Sequence, residues 1–191
     1  MATTGALKAG LAFTATLFIA GPAPAQDEVR TLALHVDNYA RLPSDVLAQA
    51  EREAARVYEA AGVRVAWIHG DDEAKREAGG RHLVVLLLST EMMHRKIGND
   101  RINDDVLGTA SRETGRAFVF TQRVIERALA SGHEAAQLIG RVMAHEIGHL
   151  LLQQAGHSNS GIMRANLSFR TRSLATFTKP QADEILLALN R

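Results

Sequence analysis

The segment His145-Glu146-Ile147-Gly148-His149-Leu150-Leu151-Leu152-Gln153-Gln154-Ala155-Gly156-His157 is followed directly by Ser158-Asn159-Ser160-Gly161-Ile162-Met163. Histidines four apart on a helix project from one face, a turn apart. His145 and His149 can therefore offer imidazole nitrogens to a single metal ion. Glu146 adjoins the first of them, where a carboxylate reaches a water on the metal without binding the metal itself. Zinc lowers the pKa of such a water to about 7. The carboxylate then accepts a proton as the water attacks a carbonyl, and returns it to the leaving group. A catalytic zinc keeps three protein ligands and one open position. His157 follows Gly156. A glycine there is expected to take the left-handed conformation that ends a helix and turns the chain back, which would bring His157 to the ion as third ligand.

His-Glu-x-x-His with a following glycine, a third histidine and a downstream methionine resembles the metzincin clan of zinc endopeptidases. The resemblance implies zinc ligands at His145, His149 and His157, a general base at Glu146, and at Met163 the methionine of a turn beneath the metal. It implies an α+β, zincin-like fold: a mixed twisted sheet with a backing helix, an active-site helix and a C-terminal helix. One departure stands out. The clan places glycine three, and histidine six, after the second histidine; those positions hold Leu152 and Ala155, and Gly156-His157 comes two residues late. The helix would run longer before its turn, and the segment from His157 to Met163 is short. Taken singly, Met163 reads equally as core filling. A downstream carboxylate, Glu184, is the alternative third ligand. In residues 181–191, however, Ala182, Ile185, Leu186 and Leu189 form the apolar stripe. At about 100° per residue Glu184 then points away from that stripe, toward solvent, which favours His157.

The first residues read as a targeting segment. Lys8 precedes a small and apolar run over 9–20, then Gly21-Pro22-Ala23-Pro24-Ala25. This is the pattern of a secretory signal peptide cleaved after Ala25, with an uncleaved N-terminal anchor as the alternative. The run is short of the about 20 residues a membrane span needs. Residues 26–191 are then expected to form a single domain, exported to the periplasm or the medium, with no membrane attachment after cleavage. Losing Lys8 takes lysines plus arginines from 22 to 21 against 21 acids, so the formal charge falls from +1 to zero. Such a balance gives no basis for nucleic-acid binding. There is no cysteine, so an exported chain must rely on its core and on bound metal for stability.

Residues 29–36 alternate as a first strand, and Pro43-Ser44-Asp45 opens a helix whose apolar face carries Val46, Leu47, Ala50, Ala54, Val57 and Tyr58. Gly62 ends it, and residues 63–68 form a second strand. Residues 71–81 are polar, and 82–89 are nearly all aliphatic, as in a strand buried on both faces. The order fits a sheet backed by a helix. Residues 91–105 read as a solvated loop; Asp100, Asn103, Asp104 and Asp105 offer hard oxygens to calcium, but without the spacing of a calcium loop. Residues 106–110 and 117–121, around a Gly115 turn, read as a hairpin. By resemblance, Leu107, Gly108, Thr109 and Ala110 form the edge along which an extended peptide pairs, a plain structural edge being the alternative. Residues 124–130 form a short helix, Ser131 is placed to cap the next, and 133–152 make the active-site helix. Thr178 and Pro180 start the last one.

The expected activity is hydrolysis of peptide bonds in a peptide or protein substrate, with one zinc as cofactor. A zinc-stabilised binding domain without activity, and a hydrolase of another amide or ester, are the competing readings. His35, His69, His82, His94 and His133 lack ligand spacing and read as surface or packing residues. Arg164, Asn166 and Ser168 lie where clan members shape the substrate pocket. Some relatives stabilise the oxyanion there with a tyrosine, but Tyr39 and Tyr58 are far upstream, leaving that role to Arg164 or Asn166 if it exists.

Overall fold

The computed structural model describes residues 30–70, 81–153, 156–165 and 175–190. The expected signal segment, the polar run after Gly70, Asn166 and Ser168 lie outside the described residues. The fold is α+β. Strands β1 (Arg30–Asn38), β2 (Val63–His69), β3 (Arg81–Leu87), β4 (Gly108–Ser111) and β5 (Arg116–Val119) form one sheet in the order β2-β1-β3-β5-β4. The first three pairings across that order are parallel, and β4 runs antiparallel to β5 at the edge. Helices α1 (Ser44–Glu59), α2 (Thr90–Asp100), α3 (Thr121–Ser131), α4 (Ala135–Leu151) and α5 (Lys179–Ala188) complete the described residues. None of them is long and apolar enough to cross a membrane.

The main core lies between one sheet face and the pair α1 and α4. Leu32, Leu34, Val36, Leu83, Val85, Leu87, Ala117 and Val119 meet Ala54, Val57, Leu138, Val142 and Ile147 there. Helix α4 is the buried rod expected of it: Leu138 through Gly148 are all buried. It lies close against α1, because an added Cβ on Gly140 would come within 2.3 Å of the Ala50 carbonyl oxygen. Next to it, the buried Arg141 donates from Nε to Glu53 at 3.0 Å, and one turn on the Ala144 carbonyl accepts from the buried Tyr58 hydroxyl at 3.1 Å. Since the obstacle at Gly140 is backbone, Gly140→Ala should destabilise the chain by about 1–3 kcal/mol. Denaturant unfolding with an unchanged slope would measure it.

Three expectations change. Strand β3 ends at Leu87 and is not sealed on both faces: Leu83, Val85 and Leu87 are buried, while Val84 and Leu86 are half-buried. The reason is that α1 and α4 cover one face, whereas the other is covered near Leu86 and Phe118 by a smaller cluster around Leu88, Met93 and Phe120. Residues 90–100 are not a loop but α2, capped by the Ser89 hydroxyl, which accepts from the Met92 amide at 3.3 Å. Two of the four residues considered for calcium pair with cations: Lys96 with Asp100 at 2.7 Å and Arg123 with Asp104 at 3.0 Å. Finally, Ser131 does not cap α4. Its hydroxyl donates back to the Arg127 carbonyl within α3, and Glu134 occupies the cap position.

Candidate metal centre

The C-terminal half of α4 carries His145, Glu146 and His149 on one side, and the chain beyond brings His157 back to them. Ring centroids of His145 and His149 are 4.7 Å apart, His145 and His157 5.2 Å, and His149 and His157 5.0 Å. One ligand nitrogen from each lies within 4.8 Å of the other two, the one such grouping of histidines and acids among the described residues. The Nε2 atoms of His145 and His149 approach to 3.1 Å. A tetrahedral zinc with bonds of about 2.0–2.1 Å sets its donors roughly 3.3 Å apart, so these two rings are already spaced for it.

The protonation state also fits a metal. Burial lowers the His145 pKa, and burial followed by the charges of His145, His157 and Arg112 lowers that of His149 to about 4. Both rings are thus held neutral, as ligands must be. The Ile162 carbonyl accepts from Nδ1 of His145 at 2.8 Å, leaving the lone pair on Nε2. Three imidazole nitrogens with no carboxylate among them are the donor set of a zinc site with an open fourth position. Glu146 is buried beside them, and burial pushes its carboxyl up to about 8.

The return of His157 follows another route than expected. Gly156 is not among the glycines with positive φ. Instead α4 ends at Leu152 in extended conformation, with φ −81° and ψ 137°. The left-handed glycine is Gly161, at φ 73°, where a Cβ would lie 2.5 Å from the Thr176 carbonyl oxygen. The short segment after His157 folds onto itself: the Ser158 amide donates to the Met163 carbonyl at 2.8 Å, and Ile162 to that of Thr176 at 2.9 Å. This closure aims the Ile162 carbonyl at His145 and buries Met163 completely. Gly148 makes the space: a Cβ on it would stand 2.5 Å from the Met163 sulfur and 3.1 Å from the Phe177 ring. Neither Gly148 nor Gly161 had been singled out from the sequence.

Leu107, Gly108, Thr109 and Ala110 line a cleft of about 540 Å³ with His145, Glu146, His149 and His157. Strand β4 passes directly over the carboxylate: an added Cβ on Gly108 would meet Glu146 Cγ at 2.8 Å and the Phe118 carbonyl oxygen at 2.8 Å. Strand β4 pairs with β5 on one side and is the last strand of the sheet order. Glu184 is half-buried and accepts an exposed hydrogen bond from the Gln153 amide, because α5 lies against the end of α4. It is not in the histidine group. Arg164 is exposed and bridges to Ser158. Tyr58 is committed to the core. His69 pairs with Glu51 at 3.2 Å, and His35 with His82 at 3.0 Å, all away from the cleft. Arg112, not considered from the sequence, reaches from the β4–β5 turn to the end of α4.

No protein-family model matches this sequence, and no curated protein matches it. Solved structures do. An archaemetzincin from Methanopyrus kandleri superposes with a TM-score of 0.51 at 16% identity, over 88% of this chain and 100% of that one. A zinc-dependent peptidase from Methanocorpusculum labreanum gives a TM-score of 0.46 at 18% identity, over 80% of this chain and 92% of that one. At 16% identity what the archaemetzincin shares with this chain is the fold, which is zincin-like.

Proposed function

We propose that this chain is an exported zinc-dependent endopeptidase with a metzincin-like site. The observation that carries the reading is the convergence of three imidazoles on one point, with a buried carboxylate beside it, under an edge strand. The shared fold with an archaemetzincin agrees with it.

In this reading His145, His149 and His157 hold one zinc ion. Bound there, zinc supplies a Lewis acid for the scissile carbonyl and a water of pKa about 7. With a zinc charge beside it favouring its ionised form, Glu146 would take the proton from the attacking water and pass it to the departing amine. The β4 backbone at Gly108 lies close over its side chain and limits where it can go. Met163 fills the space beneath Gly148 and holds the ligand helix from below. Gly108–Ser111 offers the free side of its backbone to an extended peptide, which favours peptides over small esters. The leader ending at Ala25 directs export, and sequencing the exported protein should read Gln26 first.

Gly108 tests the edge directly. A methyl there meets both the catalytic carboxylate and the backbone of the neighbouring strand. Gly108→Ala should keep its zinc yet lose on the order of 10²-fold in kcat/KM, the cost of an ångström of misplacement. The whole reading is tested with an internally quenched peptide library, with and without chelator. Cleavage that stops on chelation and resumes with added zinc supports it. A chain that melts earlier under chelation but cuts no peptide is instead a zinc-stabilised binding domain. Turnover confined to esters or non-peptide amides would move the substrate class.

A further inference from the structure

We propose that Arg112 is the positioning residue for the third zinc ligand, replacing the glycine turn that the chain lacks at that point. The inference rests on the zinc reading above. The last carbonyls of any helix have no partner within the helix, and a left-handed glycine is the usual way to close them off. Here Leu152 is extended, and the connection from His149 to His157 is two residues longer than the clan pattern. One guanidinium does the closing. Arg112 donates from Nε to the His149 carbonyl at 2.6 Å, from Nη1 to the Gln153 carbonyl at 2.7 Å, and from Nη2 to the Leu152 carbonyl. Its positive charge also sits at the negative end of the helix dipole.

Gln153 is consequently held by both of its backbone groups. Its carbonyl goes to Arg112 and its amide to Glu184 on α5. The chain thus leaves α4 in a fixed direction immediately before the stretch that ends in His157. Arg112 itself is anchored, because it follows Ser111 of the edge strand in the tight turn that Gly115 closes at φ 64°. A single planar fork therefore ties together the ligand helix, the path to the third ligand and the strand over Glu146. A lysine has the charge but not the fork, and cannot reproduce three divergent bonds in one plane.

The sign of the effect separates geometry from charge. Removing a cation near a metal site should by electrostatics alone tighten zinc binding. Removing a positioning residue should loosen it, by about 10–100-fold if Arg112 acts as outer-shell partners do. The experiment is zinc release from the loaded full chain into a colorimetric chelator, with the melting temperature of the metal-free chain measured alongside. Arg112→Ala and Arg112→Lys are both expected to release zinc about 10–100-fold faster than wild type. Should the alanine variant fail to fold, the lysine variant carries the test. Slower release from the alanine variant, or wild-type release from the lysine variant, overturns the proposal in favour of charge. Lower melting temperatures with unchanged release overturn it in favour of a merely structural clamp. A wild-type chain that takes up no zinc removes the zinc reading and this inference together; one that binds zinc with both variants unaltered removes only this inference.

Discussion

Glu146→Gln should retain one zinc per chain and lose turnover by about 10²–10⁴-fold, the usual worth of a general base. The substitution preserves shape, so the close approach of Gly108 to the Glu146 Cγ is unchanged. It removes no metal ligand, since the three histidines form the donor group without it. In the metal-free chain the site also tolerates a neutral group there: burial raises the carboxyl pKa to about 8, so an uncharged amide costs less to bury than the carboxylate. What the amide cannot do is accept a proton. Metal content and melting temperature should therefore match the parent while cleavage of the peptide library collapses. Undiminished cleavage would refute the role given to Glu146.

His157→Ala should have the complementary effect, on the metal itself. His157 is exposed, whereas His145 is buried and His149 is partly so. Truncating an exposed side chain usually changes stability by less than about 0.5 kcal/mol, so the metal-free variant should melt where the metal-free parent does. Zinc affinity should fall by more than the roughly 10–100-fold typical of outer-shell losses, because a direct ligand is gone. Ligand binding stabilises by about 2.7 kcal/mol at a hundredfold excess over Kd. The parent should thus melt distinctly higher with zinc, and the variant should show little of that gain. Zinc content equal to the parent's would place the third ligand elsewhere in the chain.

The centre was legible in the sequence where its chemistry is local. His145, Glu146 and His149 share one helix turn, and the fixed geometry of a helix lets spacing stand for position. The hairpin around Gly115 and the start of α5 were legible for the same reason: Gly115 takes φ 64°, and the Gln181 side chain accepts from the Thr178 amide at 3.0 Å. Features set by distant chain segments were not. Arg112 lies about forty positions before the carbonyls it binds, and no spacing rule joins them. Without it the end of α4 seemed to need a left-handed Gly156; with the carbonyls taken by a guanidinium, no such residue is required. The bond from Glu184 to the Gln153 amide was not foreseen, because a helical wheel sees only its own stripe, not the end of α4 beside it. Helix α2 was hidden by its surface character, with Met93 its one buried residue. Gly108, Gly140 and Gly148 matter through what a Cβ would strike on another segment, which periodicity cannot express.

X-ray absorption at the zinc edge of the purified chain tests the centre most directly. The predicted spectrum shows one zinc with three imidazole nitrogens at about 2.0–2.1 Å and one further light ligand, and an imidazole lost in His157→Ala. A chain that binds no zinc, or a first shell dominated by oxygen, would contradict three imidazoles meeting at a single ion.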